Sequence, residues 1–213
     1  QPGYWKFKNV DGSEDNQITE SDKTIIGNAL PDFYGGINNT FSWKDFDLSI
    51  FFTYSYGAEV LNATKLTNTK TALTNKNVLS VADDAHRWVT INANGELITN
   101  PEELAAVNRG KTIAHFGDNG SNNTYIHSWA IEDASYLKLS NITLGYTFPK
   151  KVINKIGLTK LRLYATGNNL FTWTPYTGFD PEVSTMSSAL TPGVDFGAYP
   201  RSRSFVFGVN VAF

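Results

Sequence analysis

The sequence contains no cysteine among its 213 residues, which excludes a disulfide framework and a thiolate metal site. It also lacks an excess of positive charge, since 18 Lys and Arg stand against 20 Asp and Glu, giving a formal net charge of −2. A protein with this charge lacks the electrostatic footprint of a nucleic-acid-binding protein, so no nucleic-acid partner is expected. No uninterrupted run of about 18 apolar residues is present, and a membrane-spanning helix is therefore not expected.

The beginning of the chain has none of the features of a natural N-terminus. Gln1 is not an initiator Met, and the residues after it contain neither the basic region nor the apolar run of a signal peptide. We therefore expect the sequence to be the C-terminal piece of a longer protein.

Aromatic residues are abundant, at 14% of the chain, and in several segments they alternate with polar residues. A period of two is typical of β-strands, whereas the helical period of 3.6 is scarce here. In one segment the phase of the alternation slips near Ser140, which indicates a β-bulge. The five expected strands are 33–43, 46–56, 135–148, 160–171 and 203–213.

One face of these strands is apolar and the other carries small or hydroxylated side chains. Either a soluble β-sandwich or a transmembrane β-barrel is compatible with such a pattern. Aromatic side chains near the strand ends favour the barrel, because barrels carry aromatic girdles at both membrane interfaces. These side chains belong to Trp43, Phe46, Tyr56, Tyr146, Phe148 and Phe213.

The connections between the expected strands alternate between short and long. Residues 44–45 and 149–159 form short links, whereas 57–134 and 172–202 are long. Outer-membrane barrels have short periplasmic turns and long extracellular loops, so 1–32 and the two long segments are expected outside and the C-terminus in the periplasm. Five strands enclose no useful lumen, and we predict an all-β fold made of the last five antiparallel strands of a barrel of about 22 strands.

Short motifs along the chain follow one another in a recognisable order. They are GYWKFK (3–8), TIIGN (24–28), PDFYGG (31–36), FDLS (46–49), RW (87–88), IEDASYLKL (131–139), ITLGY (142–146), GNNLFT (167–172), YTGFDPE (176–182) and the terminal Phe213. Together they resemble the C-terminal part of SusC/RagA-type TonB-linked outer-membrane transporters of Bacteroidetes.

The resemblance implies a function in nutrient import across the outer membrane, with oligosaccharides or peptides as cargo. It implies a SusD-like surface lipoprotein as partner and TonB as energy source, the latter acting through an N-terminal region that this sequence lacks. Phe213 resembles the assembly signal that the barrel-assembly machinery recognises, and outer-membrane lipid would surround the strands. The resemblance implies no required cofactor.

An acidic segment near the start of the chain has oxygen-bearing residues at the spacing of an EF-hand loop. Position 6 is Asn16 rather than Gly, and position 12 carries an Asp, whose side chain is shorter than that of Glu. The preferred interpretation is a solvated acidic turn, and a structural site for calcium or magnesium is the alternative. The candidate ligands are Asp11, Ser13, Asp15, Gln17 and Asp22.

Several aromatic residues fall in the expected loops, where they are candidates for contact with cargo or with the partner lipoprotein. The alternative is that they pack the loops into a rigid structure. The candidates are Trp5, Trp88, Trp129, Trp173, Tyr176 and Tyr199.

No nucleophile, phosphate-binding or zinc-protease motif occurs, so no catalytic residue is predicted and the chain is not expected to be an enzyme. Asp180 and Glu182 form a pair of carboxylates of the kind that glycosidases use, but ordering of their loop by hydrogen bonds is the preferred interpretation. Two alternatives stay open, namely a secreted carbohydrate-binding β-sandwich and an outer-membrane enzyme or adhesin barrel.

Overall fold

A computed structural model describes residues 3–12, 17–69, 77–115, 125–182, 184–185 and 190–213. The chain divides into two compact units, of which the first contains 1–27 and 62–131 and the second contains 28–61 and 132–213. The segments 1–32 and 57–134, each expected to be one loop, are therefore divided between the units. Among the described residues, no helix combines the length and the hydropathy needed to cross a bilayer.

The second unit is built on a five-stranded antiparallel sheet, which confirms the predicted fold class. The observed strand ends differ by at most two residues from the ends expected from the alternation. In spatial order the strands are β1 (Phe33–Trp43), β2 (Phe46–Tyr56), β5 (Tyr136–Thr147), β6 (Lys160–Trp173) and β8 (Ser204–Ala212).

Short elements occupy the connections. A second sheet has the order β4 (Ile131–Asp133), β3 (Glu59–Asn62), β7 (Val194–Asp195), and the helices are α1 (Ala63–Asn68), α2 (Pro101–Val107) and α3 (Lys150–Ile153). Single 3₁₀ turns lie at Glu20–Asp22, Ser80–Ala82, Ser128–Ala130 and Asn154–Ile156. The helix α2 begins where the sequence dictates, because the Asn100 side chain accepts hydrogen bonds from the backbone amides of Glu102 and Glu103 and proline occupies the first turn.

Two β-bulges interrupt the sheet at the same level. On β5, Ser140 is the extra residue between the partners of Phe51 and Phe52, as the phase slip predicts. On β6 the register with β5 shifts at the corresponding point, where Asn169 has a φ of 53°. Asn tolerates this left-handed conformation better than most residues. The bulges keep apolar side chains on one face although the alternation changes phase.

The apolar face of the sheet is open. Trp43 is 67% exposed, Phe41 is 56% exposed and Phe207 is 79% exposed. A β-sandwich would bury such a face under a second sheet, and among the described residues no second sheet covers it. The exposed face therefore argues against the β-sandwich alternative.

Aromatic contacts mark both ends of this face. At the hairpin end, Phe46 lies with its ring centroid 6.5 Å from Trp43 and 4.7 Å from Tyr146. At the other end, Phe33 stacks on Tyr56 at 5.1 Å. Phe33 and Trp43 are ten residues apart on β1, or about 33 Å at the usual rise. With a strand tilt of about 40°, this corresponds to a height of about 25 Å, which matches the apolar band of a membrane barrel.

The polar face carries an ion pair between strands that are not neighbours. Arg162 on β6 donates from Nε and Nη2 to the carboxylate of Asp47 on β2, at 3.0 and 2.5 Å. Both side chains reach across Gly145 on β5, where an added Cβ would clash with each of them. On the same face, the Tyr164 ring covers Gly208 on β8 so closely that a side chain could not fit there. Glycine at these two positions therefore allows long side chains to cross the sheet.

We predict that Gly145→Ala destabilises the sheet by up to about 1 kcal/mol, because its Cβ would displace the ends of two flexible side chains and weaken the partly exposed Asp47–Arg162 pair. The free energy of unfolding of the full-length protein in detergent measures this cost. In an Arg162→Ala background the same substitution should cost much less, since one clashing side chain is gone. An equal cost in both backgrounds would show that the ion pair is not what requires glycine.

Candidate functional site

One end of the sheet, opposite the β1–β2 hairpin, carries a hydrogen-bonded structure formed by segments 132–135, 174–182 and 190–201, which we name the collar. The hydroxyl of Thr174 donates to the carbonyl oxygen of Ser135 at 2.7 Å, and the Ser135 hydroxyl accepts from the amide of Gly57 at 3.0 Å. The first bond joins two segments of the collar, and the second joins the collar to the residue that follows β2.

A buried ion pair attaches the collar to β5. Lys138 is 4% exposed, and its ammonium group donates to the carboxylate of Glu182. The other oxygen of Glu182 accepts from the hydroxyl of Tyr136 at 2.8 Å. Arg201, which is largely exposed, lies 3.8 Å from the same carboxylate. Because a buried charge is costly unless it is paired, Lys138 requires a carboxylate at this position.

Glu182 has a lowered pKa. Burial alone would raise the pKa of this carboxyl, but hydrogen bonds from Lys138 and Tyr136 and the positive charges of Lys138 and Arg201 outweigh burial. Glu182 is therefore ionised at neutral pH, as its pairing with Lys138 requires.

Two further contacts hold the YTGFDPE motif (176–182) in the collar. Glu132 accepts hydrogen bonds from the amide and the hydroxyl of Thr177, at 3.0 and 2.7 Å. Tyr176 is 5% exposed and donates from its hydroxyl to Asp195 on β7 at 2.6 Å. Burial and the neighbouring Asp195 carboxylate raise the pKa of Tyr176, so it stays a donor at physiological pH. The motifs IEDASYLKL and YTGFDPE are therefore bonded to each other.

The predicted contact residues of the first unit pack within that unit. The ring of Trp5 lies 4.6 Å from His127 and 5.2 Å from Trp129. The ring of Trp88 lies against Gly3, where an added Cβ would clash with the indole. All three tryptophans are partly buried. Their packing is what the rigid-loop alternative requires, and their contact with cargo or partner stays a prediction.

The three predicted contact residues of the second unit have different environments. Tyr199 is 89% exposed on the collar, and Trp173 is 53% exposed at the end of β6, stacked on Phe171. The ring of Tyr176 is buried, as the packed-loop alternative requires, and its contact with cargo or partner stays a prediction. Tyr176 packs with Val60 and Ala134 in a small core, and its position in a loop motif gave no sign of this burial.

The acidic segment is closed by the last of its predicted calcium ligands. Asp22 accepts hydrogen bonds from the backbone amides of Val10, Asp11 and Thr19, at 2.8, 3.3 and 2.8 Å. These bonds lower the pKa of Asp22, and the bond from Thr19 has the largest effect. They occupy most of the lone pairs of the carboxylate, so bidentate binding of calcium by Asp22 would require some of them to break.

The calcium site as a whole stays a prediction. Ser13 and Asp15 lie outside the described residues, and Asp11 and Gln17 take part in other interactions. Within the described ranges, no group of three or more His, Asp or Glu side chains is arranged to hold a metal ion.

Phe213 follows the last residue of β8 and is 93% exposed. Its predicted role as an assembly signal stays a prediction. The residues that sequence reasoning missed are the partners in the collar, above all Lys138. Lys138 is charged where the other positions on the polar face of β5 are uncharged, and this is the one signal that could have identified it.

Comparisons with known proteins give a consistent picture. No family model matches the chain. The chain is 34% identical to TonB-dependent receptor P3 of Formosa agariphila, over 100% of its own length and 19% of the receptor. It is 29% identical to TonB-dependent receptor SusC of Bacteroides thetaiotaomicron, over 96% of its own length and 17% of SusC. The chain thus spans less than a fifth of the curated relatives it matches.

The fold is also found in solved structures. The structure of the RagAB peptide transporter matches with a TM-score of 0.68 at 22% identity, covering 92% of this chain and 19% of that one. At this identity the match shows the fold alone. Together, the relatives and the shared fold confirm the resemblance that the sequence motifs predict.

We predict that Lys138→Met releases the collar from β5, because it leaves Glu182 without its closest cation. Loss of one partner of a buried pair costs about 3–5 kcal/mol. Limited proteolysis of segment 172–202 in the detergent-solubilised full-length protein measures the release. The matched control is Arg201→Gln, which removes a cation that is 60% exposed and should cost less than about 1 kcal/mol. Similar cleavage of both variants would contradict the prediction, whereas Lys138→Met/Glu182→Leu should recover much of the protection.

The anchoring of the collar should also depend on pH. Because Glu182 has a lower pKa in the folded state than in the unfolded state, its contribution is complete above the ordinary value of 4.5. The contribution is lost as the pH falls through the folded value. Cleavage of 172–202 by an acid-active protease should therefore stay constant down to pH 4.5 and rise below it. Glu182→Gln should remove this rise, and an unchanged pH profile in that variant would exclude Glu182 as the titrating group.

Proposed function

We propose that this chain, which resembles SusC/RagA-type TonB-linked outer-membrane transporters along its whole length, forms part of the barrel wall and the extracellular collar of a TonB-dependent importer. Its fold matches the C-terminal barrel part of such transporters. The observation that carries the proposal is the exposed apolar face of the sheet with aromatic side chains at both ends.

The sheet suits a bilayer because one face carries apolar side chains and the other carries polar ones. The outward side chains are apolar, and the height between the aromatic ends matches the apolar band of a membrane barrel. The inward face carries hydroxyl, amide and paired charged groups, which suit a wet or plugged lumen. Hydrogen bonds between successive strands satisfy the backbone, as hydrocarbon requires. Barrel closure would be completed by strands outside this chain.

The collar lies at the end of the sheet where the long connections are, and we place this end outside the cell. The short links, Lys44–Asp45 and 149–159, would then be periplasmic, and so would Phe213. In this orientation Phe213 lies where the assembly machinery could engage it. The packed tryptophans of the first unit would keep that unit folded at the cell surface.

The function proposed is transport rather than covalent chemistry, with an oligosaccharide or a peptide as cargo. Glu182, one of the two candidate catalytic carboxylates, is used to hold the collar, which argues against a glycosidase role. A SusD-like lipoprotein is the proposed partner at the surface, with Tyr199 and the other exposed aromatic groups as candidate contacts. TonB would act on a region outside this chain.

The experiment uses an antibody against 57–134 to precipitate the protein from detergent-solubilised outer membranes, followed by mass spectrometry. We expect a parent chain much longer than 213 residues together with a surface lipoprotein. Competition with the antigen is the control and should remove both. A short chain that is released without detergent and without a lipoprotein would overturn the proposal and favour a secreted binding module.

A further inference from the structure

A groove of about 400 Å³ lies at the collar end of the apolar face. Its walls come from the ends of β1, β2, β5 and β6 and from the collar residues next to these ends. Aromatic rings dominate its lining, with Phe33 stacked on Tyr56 on one side and Trp173 on another. The remaining lining residues are Tyr54, Ser55, Ser135, Tyr136, Thr174 and Pro175.

Several polar groups of this lining are already used in hydrogen bonds. The hydroxyl of Thr174 donates to the carbonyl of Ser135, the Ser135 hydroxyl accepts from Gly57, and the Tyr136 hydroxyl donates to Glu182. Tyr54, Ser55 and Tyr56 add further hydroxyls, but aromatic rings and Pro175 provide most of the lining surface. The groove therefore offers mainly apolar contact, which suits a hydrocarbon chain.

A cation lies beside the groove on the same face. Trp173 stacks on Phe171 with centroids 6.0 Å apart, and the guanidinium carbon of Arg203 lies 5.6 Å from the Phe171 ring. Arg203 is exposed, and among the described residues no carboxylate pairs with it. A guanidinium matches a phosphate group in charge and geometry, since it can donate two parallel hydrogen bonds.

We propose that the groove and Arg203 form one binding site for a phosphate-bearing glycolipid of the outer leaflet, with an acyl chain in the groove and the phosphate on Arg203. The charge of Arg203 complements the phosphate, and the groove is continuous with the apolar face that would contact the bilayer. The site rests on the proposed function, because the collar end faces the outer leaflet only in that orientation. Aromatic groups beside a cation suit the membrane interface, where one side is apolar and the other is wet.

The experiment measures the lipid that stays bound to the full-length protein extracted from outer membranes in a mild detergent, by native mass spectrometry. Wild type should retain a glycolipid of lipid A type. Arg203→Gln and Trp173→Ala should each lower the retained amount by about fivefold or more, as expected for loss of one charge-assisted contact or one aromatic wall.

Matched controls separate this site from general effects. Arg201→Gln removes the same charge from a side chain that faces Glu182, and Trp43→Ala removes an indole at the hairpin end; neither should change lipid retention. Equal retention in all variants would overturn the site, and so would retention of a phospholipid instead. Failure of the proposed function would look different, because the full-length chain would then be absent from the outer-membrane fraction.

Discussion

The position of the collar depends on a single buried charge. Lys138 points to the polar face of β5 near the end of the strand, where it is almost completely removed from water. An unpaired ammonium group there would cost several kcal/mol, so the second long connection must bring a carboxylate to it. Glu182 does so, and Thr177 and Tyr176 of the same short motif add bonds to Glu132 and Asp195.

The two faces of the sheet are stabilised by different means. On the polar face, charged and aromatic side chains lie across strands, which requires glycine where they cross. On the apolar face, side chains touch mainly their neighbours, and much of their surface is left exposed. Such a sheet would be poorly soluble alone, since exposed apolar patches of this extent mark a surface that meets another phase or partner. The exposed apolar face thus supports the proposal that lipid surrounds the strands.

Much of the sheet could be predicted from the sequence, and little of the collar could. Strands follow from alternation, and the bulge at Ser140 follows from a change of phase, because both are local properties of the pattern. The ion pair between Lys138 and Glu182 joins residues 44 positions apart, and that between Asp47 and Arg162 spans 115. No periodicity relates such residues, and only the register of the strands brings them together.

The collar and the groove have Ser135, Thr174 and Pro175 in common, and this has an energetic consequence. Trp173 forms a wall of the groove, while the next residue, Thr174, joins two segments of the collar through its bond to Ser135. A lipid that binds only while Trp173 is held in place stabilises the collar with its hydrogen bonds formed. The coupling is reciprocal, because formation of these bonds favours lipid binding by the same free energy. Lipid binding in the groove and the folding of the collar would thus be linked through the adjacent residues Trp173 and Thr174. Since the collar is held by a few specific bonds rather than a large core, a modest linkage of this kind would change how often it opens.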